Sequence, residues 1–420
     1  MLLGQLFVAQ VNFCALSQGS CQLKIRRLLT TPILALTALA LVALAGCGSS
    51  SDATESPSVG LPKEIVIGAA LAKTGYMAPY DSTFAAVEQL IEETNARGGI
   101  DGHRVRVIRA DTRSDPQQAV LAVQKVLEDG ADVLVFSGEA LNAAAGAPLA
   151  EEHDTLNVSN ANEPGFGPPT TGRLSFTSFP SLLSEASAGA SFLHDRGVKH
   201  PFLFRDTSII YGRAYCSGVQ QTWEHLGGTI AGSVDFENGD ESVAGQVSEL
   251  RGSDADAVVM CSYPPGGASA IKQIRAAGID VPILGPGGFD GTFWLKGIPS
   301  TKNIFATING SAYDPANEET AKLFKRLERA GVDTDVSGTL LGAYAGGQLI
   351  LDAIRETGSV DGDILADALE AKPHDTVVGK LTYTPDNHQP SRTWPIYSYS
   401  SGKPALVTEV KPQFVPEYGG

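Results

Sequence analysis

The sequence predicts an α/β protein built as two doubly wound parallel-sheet lobes. Short apolar runs of strand length alternate along it with amphipathic stretches of helical period. That alternation breaks near Phe179-Pro180 and then begins again. The 46 glycines and 24 prolines exceed what a helical bundle wants and suit many strand–helix turns. At 420 residues the chain is too long for one small domain and comfortable for two.

The elements follow in order. Ile65-Val66-Ile67-Gly68 reads as the first strand. Phe84, Val87, Leu90, Ile91 and Thr94 recur at helical spacing until Gly98-Gly99 stops them. Val105, Val107 and Ile108 form a second strand, and Val120, Val123, Val126 and Leu127 stripe a helix between Asp115-Pro116 and Asp129-Gly130. Val133-Leu134-Val135-Phe136 is a third strand. After the break, strands are expected around Phe202-Leu203-Phe204, Thr229-Ile230, Val258-Val259-Met260 and Pro282-Ile283-Leu284. Helices between them are expected to begin near Tyr211, Ser242 and Gly267. In open parallel sheets ligands sit beyond the carboxyl ends of the strands, so two such lobes facing each other form a cleft.

The N-terminus reads as an address. Lys24, Arg26 and Arg27 precede an apolar run from Leu28 to Ala45, which ends at Leu44-Ala45-Gly46-Cys47. LAGC resembles a bacterial lipobox, which implies a signal peptide over 1–46, cleavage before Cys47 and acylation of its thiol. A lipid there holds the protein at the membrane through buried methylenes. The Ser- and Pro-rich stretch over 47–63 reads as the lipidated N-terminus and its tether. Formal net charge is −16; without the three bases of the first 46 residues, 28 bases face 47 acids, a charge of −19. That surface repels phosphate backbones and anionic headgroups, which argues against nucleic acid and against membrane contact beyond the lipid.

Several motifs carry a family resemblance. Thr74-Gly75 with Ala78-Pro79-Tyr80, then Asn95 through Gly102, Asp111 and Ser114-Asp115-Pro116 resemble the opening of the type I periplasmic binding proteins. Ala147 through Glu152, and Gly266-Gly267 through Gly278, continue the match to the C-terminus. The resemblance is closest to the branched-chain amino acid receptors of ABC importers. It implies three crossings between lobes, near Ser178–Ser181, Ala306–Gly310 and Trp394–Tyr397. Lobe 1 is then 64–179 plus 308–394, and lobe 2 is 180–307 plus 395–420. Three linkers make a stiff hinge whose closure a permease can read.

The resemblance also implies site residues. Tyr80 follows the first strand, where a tyrosine lines the cleft of the similar receptors. Backbone N–H groups at the helix start around Glu139, Ala140 and Leu141 offer a place for a carboxylate. Asn160, Ala161 and Asn162 match the family's second carboxylate-gripping loop. Tyr211, in the match to a Tyr-Gly pair, and Tyr263, at a strand end, are expected from lobe 2. Where the amino acid receptors place an acid for the ligand's ammonium, this chain has Gly287 within Gly285-Pro286-Gly287-Gly288. A dry ammonium needs a partner, so Asp290 or Glu139 takes over, or the ligand is not an α-amino acid. Glu139 also disfavours a carboxylate beside it. The solute is therefore an amino acid or a related small polar molecule, with an amide, cationic or aromatic compound as the alternative.

Cys216 and Cys261 both fall in lobe 2, outside the reducing cytosol, and either pair as a disulfide or are two small core residues. No G-x-S-x-G, P-loop or H-E-x-x-H motif occurs. His374, Asp375 and His388 have no metal-ligand spacing and read as surface loop residues. The expectation is a monomeric extracytoplasmic receptor, not an enzyme, without cofactor or metal. Its partners are a small solute and an ABC permease with its ATPase; a sensory binding protein acting on a signalling partner is the alternative.

Overall fold

The computed structural model describes residues 60–418. The signal segment, Cys47 and most of the tether lie outside the described residues. β1 (Glu64–Leu71) lies between β2 (Arg104–Asp111) and β3 (Val133–Phe136), and β4 (Asn157–Ser159) and β5 (Ser175–Thr177) extend the sheet. All pairings are parallel, in the order β2-β1-β3-β4-β5. β1 is buried along seven of its eight residues, as an internal parallel strand with both faces covered must be, whereas edge strand β2 exposes arginines.

Helices α1 (Ala78–Asp81), α2 (Ala85–Ala96), α3 (Pro116–Glu128) and α4 (Ala140–Glu152) make the crossovers. α3 shows why the local signals work. Asp115 Oδ1 accepts the Gln118 N–H at 2.9 Å, Pro116 opens the first turn, and Gly130 closes the end with φ of +88°.

The second sheet repeats the strand order. After α5 (Leu182–Asp195) come β6 (Pro201–Asp206), α6 (Ile210–His225), β7 (Gly232–Phe236), α7 (Ala244–Gly252), β8 (Ala257–Cys261), α8 (Gly266–Ala276), β9 (Ile283–Gly285) and β10 (Ile304–Thr307). Their order β7-β6-β8-β9-β10 is the same winding as in the first sheet. The chain then returns to the first lobe through α9 (Glu318–Arg329), α10 (Ser337–Thr357), α11 (Gly362–Glu370) and the hairpin β11 (His374–Thr376)–β12 (Gly379–Leu381). Leu323, Phe324, Leu340, Leu349, Leu365 and Leu381 there share one core with Ile65, Val87 and Phe176.

β13 (Trp394–Ser398), antiparallel to β10, and β14 (Ala405–Val410), antiparallel to β13, finish the second sheet. The doubly wound parallel sheet expected from the sequence thus carries an antiparallel pair at this edge. Trp394 pairs with Val410, so it stands on the second sheet, one residue earlier than the expected boundary. The three crossing segments bind one another. Ser181 N–H donates to Pro390 O at 2.8 Å, the Ser184 and Ser391 hydroxyls are 2.9 Å apart, and Arg392 donates to Asn309 Oδ1 at 3.3 Å.

Two further expectations need correction. Thr229-Ile230 is not a strand; the Trp223 indole N–H donates to Thr229 O at 3.1 Å, occupying that carbonyl, and β7 starts at Gly232. His388 is not a surface residue. It is 1% exposed, stacked on Phe176 with centroids 3.7 Å apart and bonded to Ser175 O and Glu370. Burial lowers its pKa, which favours the neutral ring. His374 is half-buried and Asp375 exposed. Cys216 and Cys261 are joined as a disulfide, Cα atoms 5.5 Å apart, tying α6 to β8.

Candidate functional site

Both parallel sheets turn their carboxyl ends toward one cavity of about 500 Å³, counted with the solvent at its mouth. The first lobe contributes Met77 and Tyr80 after β1, Gly138 and Glu139 after β3, Asn160, Asn162 and Glu163 after β4, and Thr339 from α10. Phe179 comes from the first crossing. The second lobe contributes Tyr211 after β6, Tyr263 after β8, and Gly287 and Gly288 after β9.

The lobes meet around this cavity. The Tyr80 hydroxyl donates to Gly288 O, and the Gly288 N–H donates to the Tyr211 hydroxyl, each at 3.0 Å. One tyrosine from each lobe thus holds one glycine's backbone. Gly288 has to be glycine, because a Cβ would stand 2.6 Å from Tyr263 Cβ. The Tyr263 ring lies edge-on to Tyr80 and Tyr211, with centroids 6.4 and 5.6 Å away, and parallel to Tyr76. At the rim Asp290 accepts the Thr339 N–H at 2.7 Å, and Asp335 accepts the Thr292 N–H and hydroxyl. Asn162 donates across the lobes to Glu185 at 3.4 Å.

Acids dominate the electrostatics. Burial pushes the Glu163 carboxyl up to about 8, and nearby Glu139 adds to the rise. Glu139 is raised too, chiefly by burial. Asp81 is pushed by burial to about 6 although it accepts from Ala72 N, Ser137 Oγ and Gly138 N, which joins the loops after β1 and β3. Glu185 and Asp290 are each held near 7 by burial. Desolvation raises the hydroxyls of Tyr80, Tyr211 and Tyr263, so they remain protonated donors. No lysine or arginine lines the cavity among the described residues.

Of the residues expected from the sequence, Tyr80, Glu139, Asn160, Asn162, Tyr211 and Tyr263 are brought together here. Ala140, Leu141, Ala161 and Asp290 are not among the lining residues. Ala140 and Ala161 are buried in the hydrophobic core beneath the loops, and Leu141 points outward at 57% exposure. Asp290 is sealed at 1% exposure and spends its oxygens on Thr339 N and Gly291 N, so it is no replacement partner for an ammonium. Amides in the two loops expected to hold a carboxylate are also partly occupied. Asn142 N–H donates to Glu139 at 3.0 Å, and Ala140 and Asn162 N–H donate to Glu163 at 3.4 and 3.1 Å.

Sequence reasoning missed Met77, Gly138, Glu163, Phe179, Glu185, Gly288 and Thr339. Glu185 had a signal: it is the sole charge in the otherwise uncharged segment Leu182-Leu183-Ser184-Glu185-Ala186-Ser187-Ala188. Its carboxylate accepts from Gly287 N at 2.5 Å and from the Thr307 hydroxyl at 2.6 Å. A Cβ at Gly287 would stand 3.6 Å from that carboxylate, so Glu185 brings an acid from another element to the place where the resemblance expects one.

Residues 64–404 match the family model described as periplasmic binding protein. The chain belongs to that family. Its members are solute-binding receptors rather than enzymes, and they work outside the cytoplasm. This periplasmic binding protein is 25% identical over 380 residues to the leucine-, isoleucine-, valine-, threonine-, and alanine-binding protein of Pseudomonas aeruginosa, covering 89% of this chain and 97% of the relative. Its fold is that of the branched-chain amino acid transporter substrate binding protein LivJ of Streptococcus pneumoniae, solved with isoleucine. There the TM-score is 0.72 at 21% identity, over 82% of this chain and 99% of the other. An R. palustris ABC transporter solute binding protein solved with benzoate matches with TM-score 0.73 at 19% identity, over 84% and 98%. The type I architecture expected from the motifs is therefore the architecture observed. Among the described residues no helix is long and apolar enough to cross a membrane.

Proposed function

We propose that this chain is the solute receptor of an ABC importer and that it encloses an amino acid or a related small polar solute between its lobes. The observation that carries the reading is the cavity at the carboxyl ends of both sheets, lined by side chains from both lobes. Tyr80, Glu139, Asn160, Asn162, Tyr211 and Tyr263 are the proposed contacts. The solute first meets the loops of lobe 1, comprising 64–179 and 308–393, and lobe 2 then rotates on the three crossings to cover it. The hydroxyl of Tyr80 and the rim bonds of Asp290 and Asp335 favour the closed form, which a permease with its ATPase recognises. Acylation at Cys47 keeps the receptor, as a monomer, at the membrane face where that permease sits.

A thermal-shift screen of amino acids, amides, polyamines and small aromatic acids tests the receptor reading. A solute that prefers the closed, folded state raises the melting temperature by mass action. Tyr211→Ala and Tyr263→Ala are expected to remove that rise. A blank screen, or full binding in both variants, overturns the reading. For the anchor, Cys47→Ala is expected to move the protein from the membrane pellet to the soluble fraction; continued pelleting overturns that part.

A further inference from the structure

Resting on the receptor reading, we infer that the solute is an organic cation without a carboxylate: the cavity offers it carboxyl groups and tyrosine rings and offers an anion no cationic side chain. Three observations converge on this class.

The first concerns donors. A buried carboxylate has to be met by N–H groups or by a cationic side chain, since an unpaired buried charge is costly. Several backbone N–H groups at the cavity are already engaged. Gly138 donates to Asp81, Ala140 and Asn162 to Glu163, Gly287 to Glu185 and Gly288 to Tyr211. Even Ala161, in the loop expected to grip a carboxylate, donates to Ser159 Oγ at 2.9 Å. The protein's own acids fill the places an α-carboxylate would need.

Acceptors form the second observation. Glu139 and Glu163 both line the cavity and belong to adjacent loops of one lobe. Glu139 raises the cost of charging Glu163, and no lysine or arginine lies among the lining residues to offset it. A cation between them supplies the missing charge.

The third observation is the wall. Tyr80, Tyr211 and Tyr263 stand nearly at right angles to one another's neighbours, with interplanar angles of 73° and 68° about Tyr263. Ring faces carry negative electrostatic potential, so a wall with three tyrosines suits a cation better than an anion.

The test compares molecules that differ only in charge. By isothermal titration calorimetry on the unaltered full-length protein, phenylalanine is set against 2-phenylethylamine and 3-phenylpropanoate, and leucine against 3-methylbutylamine and 4-methylpentanoate. The amines are expected to bind on the order of 100-fold more tightly than the amino acids and acids. Glu139→Gln and Glu163→Gln are each expected to weaken the amine by roughly 10-fold or more. Should a variant fail to fold, the comparison on the unaltered chain still decides. Preferential binding of an amino acid or an acid overturns the cation class and leaves the receptor reading standing. So does unchanged amine affinity in both folded variants. Absence of binding by all six compounds overturns the class as well, while the receptor reading stands or falls separately with the thermal-shift screen and its two tyrosine variants.

Discussion

Removing the disulfide between Cys216 and Cys261 should destabilise the second lobe in a measurable and selective way. The bond links positions 45 residues apart in the sequence. In the chain-entropy account, opening a loop of that size returns roughly 13 cal/mol/K to the unfolded ensemble, or about 4 kcal/mol at 25 °C. The perturbation is the double substitution Cys216→Ala with Cys261→Ala; both positions are buried, so neither replacement exposes apolar surface. Reducing the unaltered protein provides the control that leaves core volume almost unchanged. The protein also carries its own reporter. Its three tryptophans are Trp223 on α6, Trp294 after β9 and Trp394 on β13, all buried in the second lobe. Tryptophan emission during urea unfolding therefore follows that lobe alone. With a slope of about 2 kcal/mol/M, a loss of about 4 kcal/mol moves the midpoint down by about 2 M. A fall of less than about 0.5 M in both the reduced and the substituted protein would refute the claim that this crosslink restrains the unfolded chain.

Three other outcomes follow from the same geometry. Tyr80→Phe deletes the hydroxyl that reaches Gly288 O across the lobes at 3.0 Å, so closure should lose about 1 kcal/mol and solute affinity about fivefold; equal affinity by calorimetry counts against this bond as part of the closed state. Glu185→Ala leaves Gly287 N, the Thr307 hydroxyl and the Asn162 amide without their acceptor and should cost about 2–4 kcal/mol in urea unfolding, far more than Glu185→Gln; equal costs for the two variants contradict the assignment. The pH response runs opposite to that of surface carboxylates. Asp81, Glu185, Asp290 and Glu163 are raised by burial to about 6, 7, 7 and 8, from ordinary values of 3.8 or 4.5. Between those limits the folded state holds more protons than the unfolded one, so their contribution is full below about pH 4 and is lost as pH rises through 6–8. The urea midpoint of solute-free protein should fall from pH 5.5 to 8.5, and a rising midpoint tells against it.

Much of the site was legible because strand ends are legible. Tyr80, Glu139, Asn160, Asn162, Tyr211 and Tyr263 all stand just after an apolar run, and the topology of parallel sheets aims such positions at one cleft. Ala140, Ala161 and Leu141 share those loops yet miss the cavity, since neighbouring residues of a turn point different ways. Asp290 was misjudged for a related reason: its nearness to Gly287 in sequence says nothing of Thr339, which captures it from α10. His388 was judged by its lack of metal-ligand spacing, whereas Phe176, far away in sequence, and Glu370, 18 residues back, enclose it.

Strand and helix periods, the capping pair Asp115-Pro116, the restart after Phe179-Pro180 and the family motifs were all determined by the sequence alone. Each is a local preference that a segment expresses largely by itself. The charge state of the cavity was decided only by tertiary structure. Glu139, Glu163 and Glu185 look like ordinary acids in the chain, and they become buried acceptors holding the loop amides once two lobes and three crossings cover them. Desolvation depends on what packs above a group, as where Gly287 and Thr307, more than a hundred positions on, close over Glu185.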